Sequence, residues 1–122
     1  MNFLKFIFLG ILIIFNSSCS KDVEKESLIK EKNLELQVIE AYEEGLKSLN
    51  QGDALFAAKK FNEAETLFPQ SSSAPKSALM ASYSYYSQDY YEDAILELQR
   101  FIKVYPFYKN IDYAYYLLGL WH

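Results

Sequence analysis

At 122 residues the chain has the length of one modest domain. It is acidic, with 12 Lys+Arg against 16 Asp+Glu and a net charge of −4, so it lacks the basic surface that a phosphate backbone requires and nucleic acid is excluded as a partner. A single Cys and a single His, the latter the last residue, rule out both a disulfide framework and a zinc site built on spaced Cys and His ligands.

The first eighteen residues read as a targeting segment. Lys5 supplies a positive start, and Phe6 to Phe15 (FIFLGILIIF) form an unbroken apolar run. Ten residues of helix span only about 15 Å, against a hydrocarbon core of about 30 Å, so the run is a cleavable signal and not a permanent span. Asn16-Ser17-Ser18-Cys19 follows. A lone Cys directly after small residues resembles the bacterial lipobox, although Asn16 stands where Leu is usual. The resemblance implies cleavage after Ser18 and a covalent diacylglycerol and N-acyl lipid on Cys19, with no other cofactor. Several acyl chains on one terminus anchor firmly, where one would bind only marginally. Ser20, in place of an Asp, fits export to the outer membrane by resemblance to enterobacterial lipoproteins. Without residues 1–18 the chain carries 11 Lys+Arg against 16 Asp+Glu.

Residues 19–37 read as a lipid-anchored tether and helix lead-in. Between Lys21 and Lys32 (KDVEKESLIKEK) charge of both signs dominates, and such a stretch buries too little surface to offset its ordering entropy. A solvated tether is expected there, holding the folded part off the lipid.

From about Asn33 the pattern is helical, and it repeats. Ala57, Phe61, Ala64 and Pro69 stand at offsets 0, 4, 7 and 12, and Ala94, Leu98, Phe101 and Pro106 repeat those offsets 37 residues later. A period of 37 is close to the 34 residues of a tetratricopeptide repeat, a pair of antiparallel helices. Gly45 and Ser82 take the small-residue position of the first helix in successive units, and the same register expects a small residue at 119, where Gly119 stands. Gly52-Asp53 and Gln88-Asp89-Tyr90 supply the intervening turns, while Pro69 and Pro106 block continuation of each second helix. The expected fold is all-α, a tetratricopeptide-like α-solenoid, with repeats at 38–74 and 75–111 and the start of a third at 112–122. Because stacked repeats need neighbours and caps, a chain continuing beyond His122 is expected.

No catalytic constellation is visible. The Cys belongs to the anchor, the glycines are scattered, and carboxylate neighbours such as Glu43-Glu44 and Glu92-Asp93 point in different directions on helices. The chain reads as a non-enzyme without a metal. Tyrosine stands out instead, since ten of eleven lie between Tyr83 and Tyr116. The concave positions of the repeat register are Ile39, Tyr42, Leu46 and Leu49, then Lys76, Leu79, Tyr83 and Tyr86, then Tyr113, Tyr116 and Leu120. Tyrosine suits a binding face because its ring packs while its hydroxyl stays wet, and equally it fills gaps between helices. A peptide-binding groove is the expectation.

Longer strings are more specific than the repeat. Ala74-Pro75-Lys76, Ala78-Leu79-Met80, Tyr83-Ser84-Tyr85-Tyr86, Tyr91-Glu92-Asp93-Ala94, Arg100-Phe101-Ile102-Lys103, Tyr105-Pro106 and Asp112-Tyr113-Ala114-Tyr115-Tyr116-Leu117-x-Gly119 resemble the BamD family of outer-membrane β-barrel assembly lipoproteins over residues 38–122. The resemblance implies a non-catalytic, periplasm-facing lipoprotein of five repeats, anchored in the outer membrane. Its N-terminal repeats would bind unfolded β-barrel precursors, and its C-terminal repeats the barrel subunit BamA, beside other lipoproteins of the complex. A tetratricopeptide lipoprotein serving cell-wall or pilus assembly is the alternative; an envelope hydrolase would need a cluster that is absent here.

Overall fold

The computed structural model describes residues 21–122, with side chains from Lys25 onward. The targeting segment and Cys19 lie outside the described residues. Five helices follow in order: α1 (Lys21–Asn50), α2 (Ala54–Leu67), α3 (Ala74–Tyr86), α4 (Tyr91–Val104) and α5 (Ile111–Trp121). No strand occurs among the described residues, so the fold is all-α. The chain divides into two compact units, one up to Lys32 and one from Asn33 to His122.

The described part of the first unit is the front of α1. Composition alone predicts an unordered tether at Lys21–Lys32, but these residues are helical, with side chains 25–32 exposed to solvent. Burial is the wrong test for this stretch. Glu, Lys and Leu are strong helix formers, and Glu26 and Lys30 stand four apart. Once Asn33–Asn50 is helical, each added residue gains a backbone bond without a new nucleation cost.

In the second unit, the latter part of α1 packs antiparallel on α2. Val38 and Ala41 meet Ala64 near one end, and Gly45 meets Phe61 further along. The approach is close because Gly45 has no side chain: a Cβ there would lie 2.9–3.0 Å from the Phe61 ring. Phe61 is fully buried and takes the edge of Tyr42 at 5.1 Å between centroids. Lys60 ties the same pair from the surface, 2.7 Å from Glu44 and 2.9 Å from Glu63. Those two hydrogen-bonded carboxylates raise the Lys60 pKa.

The α3–α4 pair repeats this with other chemistry. At Ser82, the counterpart of Gly45, the buried hydroxyl donates to the Ala94 carbonyl at 3.0 Å, so a small polar group serves where a missing one served before. Ala57, Phe61 and Ala64 on α2, and Ala94, Leu98 and Phe101 on α4, are all fully buried. The turns match in backbone as well: Gly52 has φ 78° and Asp89, its counterpart, φ 64°. Gly adopts this left-handed region freely and Asp tolerates it. Asp53 also caps α2, accepting from the Phe56 N–H at 3.0 Å.

Gly119 differs from its counterparts. It is exposed, and a Cβ there would meet nothing within 4 Å. The register puts a small residue at this position, but no described helix lies against it, so the close approach it would permit is not made among the described residues.

Candidate functional site

On α1 the spacing of Ile39, Tyr42, Glu43 and Leu46 follows the helical repeat and brings them onto one face. Pro75 in the first turn of α3 suits that helix start, where a missing N–H costs nothing. The start of α3 places Ser73 and Lys76 opposite the α1 face. Together with Val38 these residues line a groove of about 340 Å³. Its floor is apolar: Val38 is buried, while Ile39 and Leu46 remain partly open to solvent. The Lys76 ammonium sits over the Tyr42 ring, 5.1 Å from its centroid, a cation–π contact joining α1 to α3. The Glu43 carboxylate lies on the same rim. Such a groove offers apolar contact to an inserted side chain and an ammonium to an anionic group beside it.

The other sequence-derived candidates divide into two sets. Tyr83 is half-exposed on α3, and Tyr113 and Tyr116 are more than half-exposed on α5, with their rings stacked at 6.3 Å. These three are accessible but do not line the groove described. Leu120 is likewise exposed. Leu79 and Tyr86 are half-buried on that face, and both pack against the cluster of Ala78, Ala94, Leu98, Phe101, Ala114 and Trp121. Tyr86 stacks on Trp121 at 4.3 Å and 12°, and it meets Tyr91 edge-on. Its ring is thereby occupied. Leu49 is similarly drawn against Ala57, Phe61 and Ala81. Tertiary packing decided these cases, since a register position says which way a side chain faces and not what stands opposite.

One polar cluster escaped the sequence reading. Glu65 on α2, nearly buried, accepts two hydrogen bonds from Arg100 on α4, at 3.1 and 2.7 Å, and one from the Tyr105 hydroxyl at 2.5 Å. Arg100 also donates to Glu97 at 3.0 Å. The charge-assisted bonds to Glu65 raise the Arg100 pKa further, and burial followed by the bond to Glu65 raises that of Tyr105. The only sequence signal was that Arg100 and Tyr105 each fall within one of two neighbouring family-specific strings. Glu65 carried none. No group of three or more potential metal ligands occurs among the described residues.

Residues 35–122 match the YfiO family, described as outer membrane lipoprotein. The chain belongs to that family. The chain is also similar to the outer membrane protein assembly factor BamD of Neisseria meningitidis serogroup A. That protein is 33% identical over 106 residues, 85% of this chain and 39% of the relative. BamD of Caulobacter vibrioides is 32% identical over 105 residues, covering 85% and 33% of the two chains. BamD of Pasteurella multocida is 31% identical over 115 residues, covering 94% and 40%. The chain therefore spans two-fifths or less of the length of these relatives. No solved structure matches it. No helix among the described residues is long and apolar enough to cross a membrane.

Proposed function

We propose that this chain is part of an outer-membrane protein assembly factor, a non-catalytic scaffold lipidated on Cys19 and facing the periplasm from the outer membrane. Its groove between α1 and α3 takes an extended segment of an unfolded β-barrel precursor. Similarity to proteins named outer membrane protein assembly factor BamD supports the assembly role. The observation that carries the binding role is the meeting of Ile39, Tyr42, Leu46 and Lys76 around one cavity. An extended precursor strand carries alternate apolar side chains and, at its end, a carboxylate. The apolar floor suits the first and the Lys76 ammonium the second. Further parts of the protein would dock on the barrel subunit BamA and on the other lipoproteins of the complex.

Titrating the mature chain with a fluorescent peptide from the C-terminus of an outer-membrane barrel tests this reading. Saturable binding is expected, weakened by Tyr42→Ala and by Lys76→Ala. A folded helical spectrum with no measurable binding would overturn groove recognition. Incorporation of labelled palmitate, abolished in Cys19→Ala, tests the anchor separately.

A further inference from the structure

In the unit from Asn33 onward, antiparallel helices put their turns at two opposite edges, and the two edges differ in chemistry. At one edge both turns are mostly polar, Gln51-Gly52-Asp53 and Ser87-Gln88-Asp89-Tyr90, with Tyr90 their single aromatic residue and no proline. At the other, both loops carry proline beside aromatic rings: Phe68-Pro69 and Tyr105-Pro106-Phe107-Tyr108. Phe107 is 97% exposed and Val104 beside it 51%. With Pro75, Pro106, Tyr108 and Lys109 they border a shallow depression of about 430 Å³. A Phe ring almost wholly in water gains nothing for the fold, and a cluster of such surface marks an interaction site.

Two observations identify what covers it. First, aromatic rings flanked by lysines, here Lys103 and Lys109, both exposed, are the composition of a membrane-interface segment. Second, the chain enters this unit at the same edge. Val38 on α1 and Ser73 before α3 line one groove, so the front of α1 in this unit lies level with the α2–α3 loop. Cys19 precedes Asn33 by fourteen residues. That length is about 21 Å as helix, and α1 is helical from Lys21, so an anchor at Cys19 ties the chain to the bilayer from this edge and not from the polar one.

We propose that the Pro106-Phe107-Tyr108 loop is a lipid-surface contact, with Phe107 entering the interfacial layer of the leaflet that holds the anchor and Lys103 and Lys109 meeting its phosphates. This rests on the anchor reading above, and the test separates the two. The mature chain is coupled through the Cys19 thiol to a maleimide phospholipid in vesicles of phosphatidylethanolamine and phosphatidylglycerol. Tryptophan is introduced as Phe107→Trp or as Gln88→Trp at the polar edge, and the parent emission from Trp121 is subtracted. Brominated lipid is expected to quench the added emission several-fold more at 107 than at 88, and less so with Lys103→Glu and Lys109→Glu together. No quenching at 107, or equal quenching at both sites, overturns the proposal. Because the coupling is chemical, failure of cells to acylate Cys19 would remove the anchor reading and leave this readout intact.

Discussion

Arg100 on α4 grips Glu65 on α2 through two parallel hydrogen bonds across 35 residues of sequence, and Tyr105 closes the cluster from the end of the same helix. The Glu65 side chain is 10% exposed and that of Arg100 37%, so the carboxylate depends on its partners while the guanidinium keeps some water. The pair joins the second helices of successive helix pairs, beside the broader packing of α2 on α3.

Arg100→Ala leaves the Glu65 carboxylate buried with only the Tyr105 hydroxyl. Hydrogen bonds to a charged group are worth about 1.5–3 kcal/mol, and partial exposure of Arg100 favours the lower end, so a loss of about 2 kcal/mol is expected. For a unit of this size that lowers the thermal midpoint by roughly 10 °C, measurable by circular dichroism. Arg100→Lys, a point charge in place of a planar fork, should recover only part of it. An unchanged midpoint in Arg100→Ala would show that the cluster contributes nothing.

Burial, helped by the bond to Glu65, raises the Tyr105 pKa, and burial first and then the charges of Glu97 and Asp93 raise that of Tyr85. A phenol raised in the folded state contributes stability that is complete below its unfolded pKa, near 10, and is lost as pH climbs above it. Thermal midpoints measured upward from neutral pH should therefore hold until about pH 10 and then fall. Tyr105→Phe should cost about 1 kcal/mol at neutral pH and make the alkaline fall shallower. An equally steep fall in the variant would mean that Tyr105 does not contribute to it.

The glycines should respond in opposite directions to one substitution. Gly45→Ala forces a Cβ to within 3 Å of the fully buried Phe61 ring, and overpacking of that kind costs about 1–3 kcal/mol. Gly119→Ala meets open space, so helix propensity alone acts and should stabilise by up to about 1 kcal/mol. Gly52→Ala must hold φ 78°, at a cost of about 1 kcal/mol. Urea midpoints of the three variants would rank them, and a destabilised Gly119→Ala would contradict the open surroundings.

Tyrosines on the same face should separate binding from stability. Tyr83 and Tyr116 stand outside the α1–α3 groove, on the face along which an extended precursor would run on from it, so Tyr83→Ala with Tyr116→Ala is expected to lower precursor-peptide affinity while stability moves by about 0.5 kcal/mol or less per site. Tyr86→Ala empties the stack on Trp121, so the midpoint should fall with affinity little changed. The reverse pattern in calorimetry would exchange the two roles.

How much of the molecule could be read in advance depended on how local its cause was. Helix pairs were legible because Ala57, Phe61 and Ala64 and their counterparts repeat at helical spacing, and such spacing follows from one helix burying one face. The length of α1 was not, because Lys21–Lys32 gains its order from extending an existing helix and not from burial. Four of the seven residues that line the groove lay in the register, Ile39, Tyr42, Leu46 and Lys76. Ser73 and Glu43 did not, since a polar loop and a solvated helix face look the same in sequence whether or not they border a cavity.

The exposed pair Tyr113 and Tyr116 and the packed Tyr86 make the same point within one residue type. By itself the sequence of Gly45, with Ser82 37 residues on, determined where two helices can approach, because only small groups let backbones meet. Tertiary structure alone decided that Glu65 would face Arg100 and that Lys76 would lie over Tyr42. Neither pairing has a spacing that local helix geometry imposes. Both arise where successive helix pairs stack, and only the stacked chain brings those charges together.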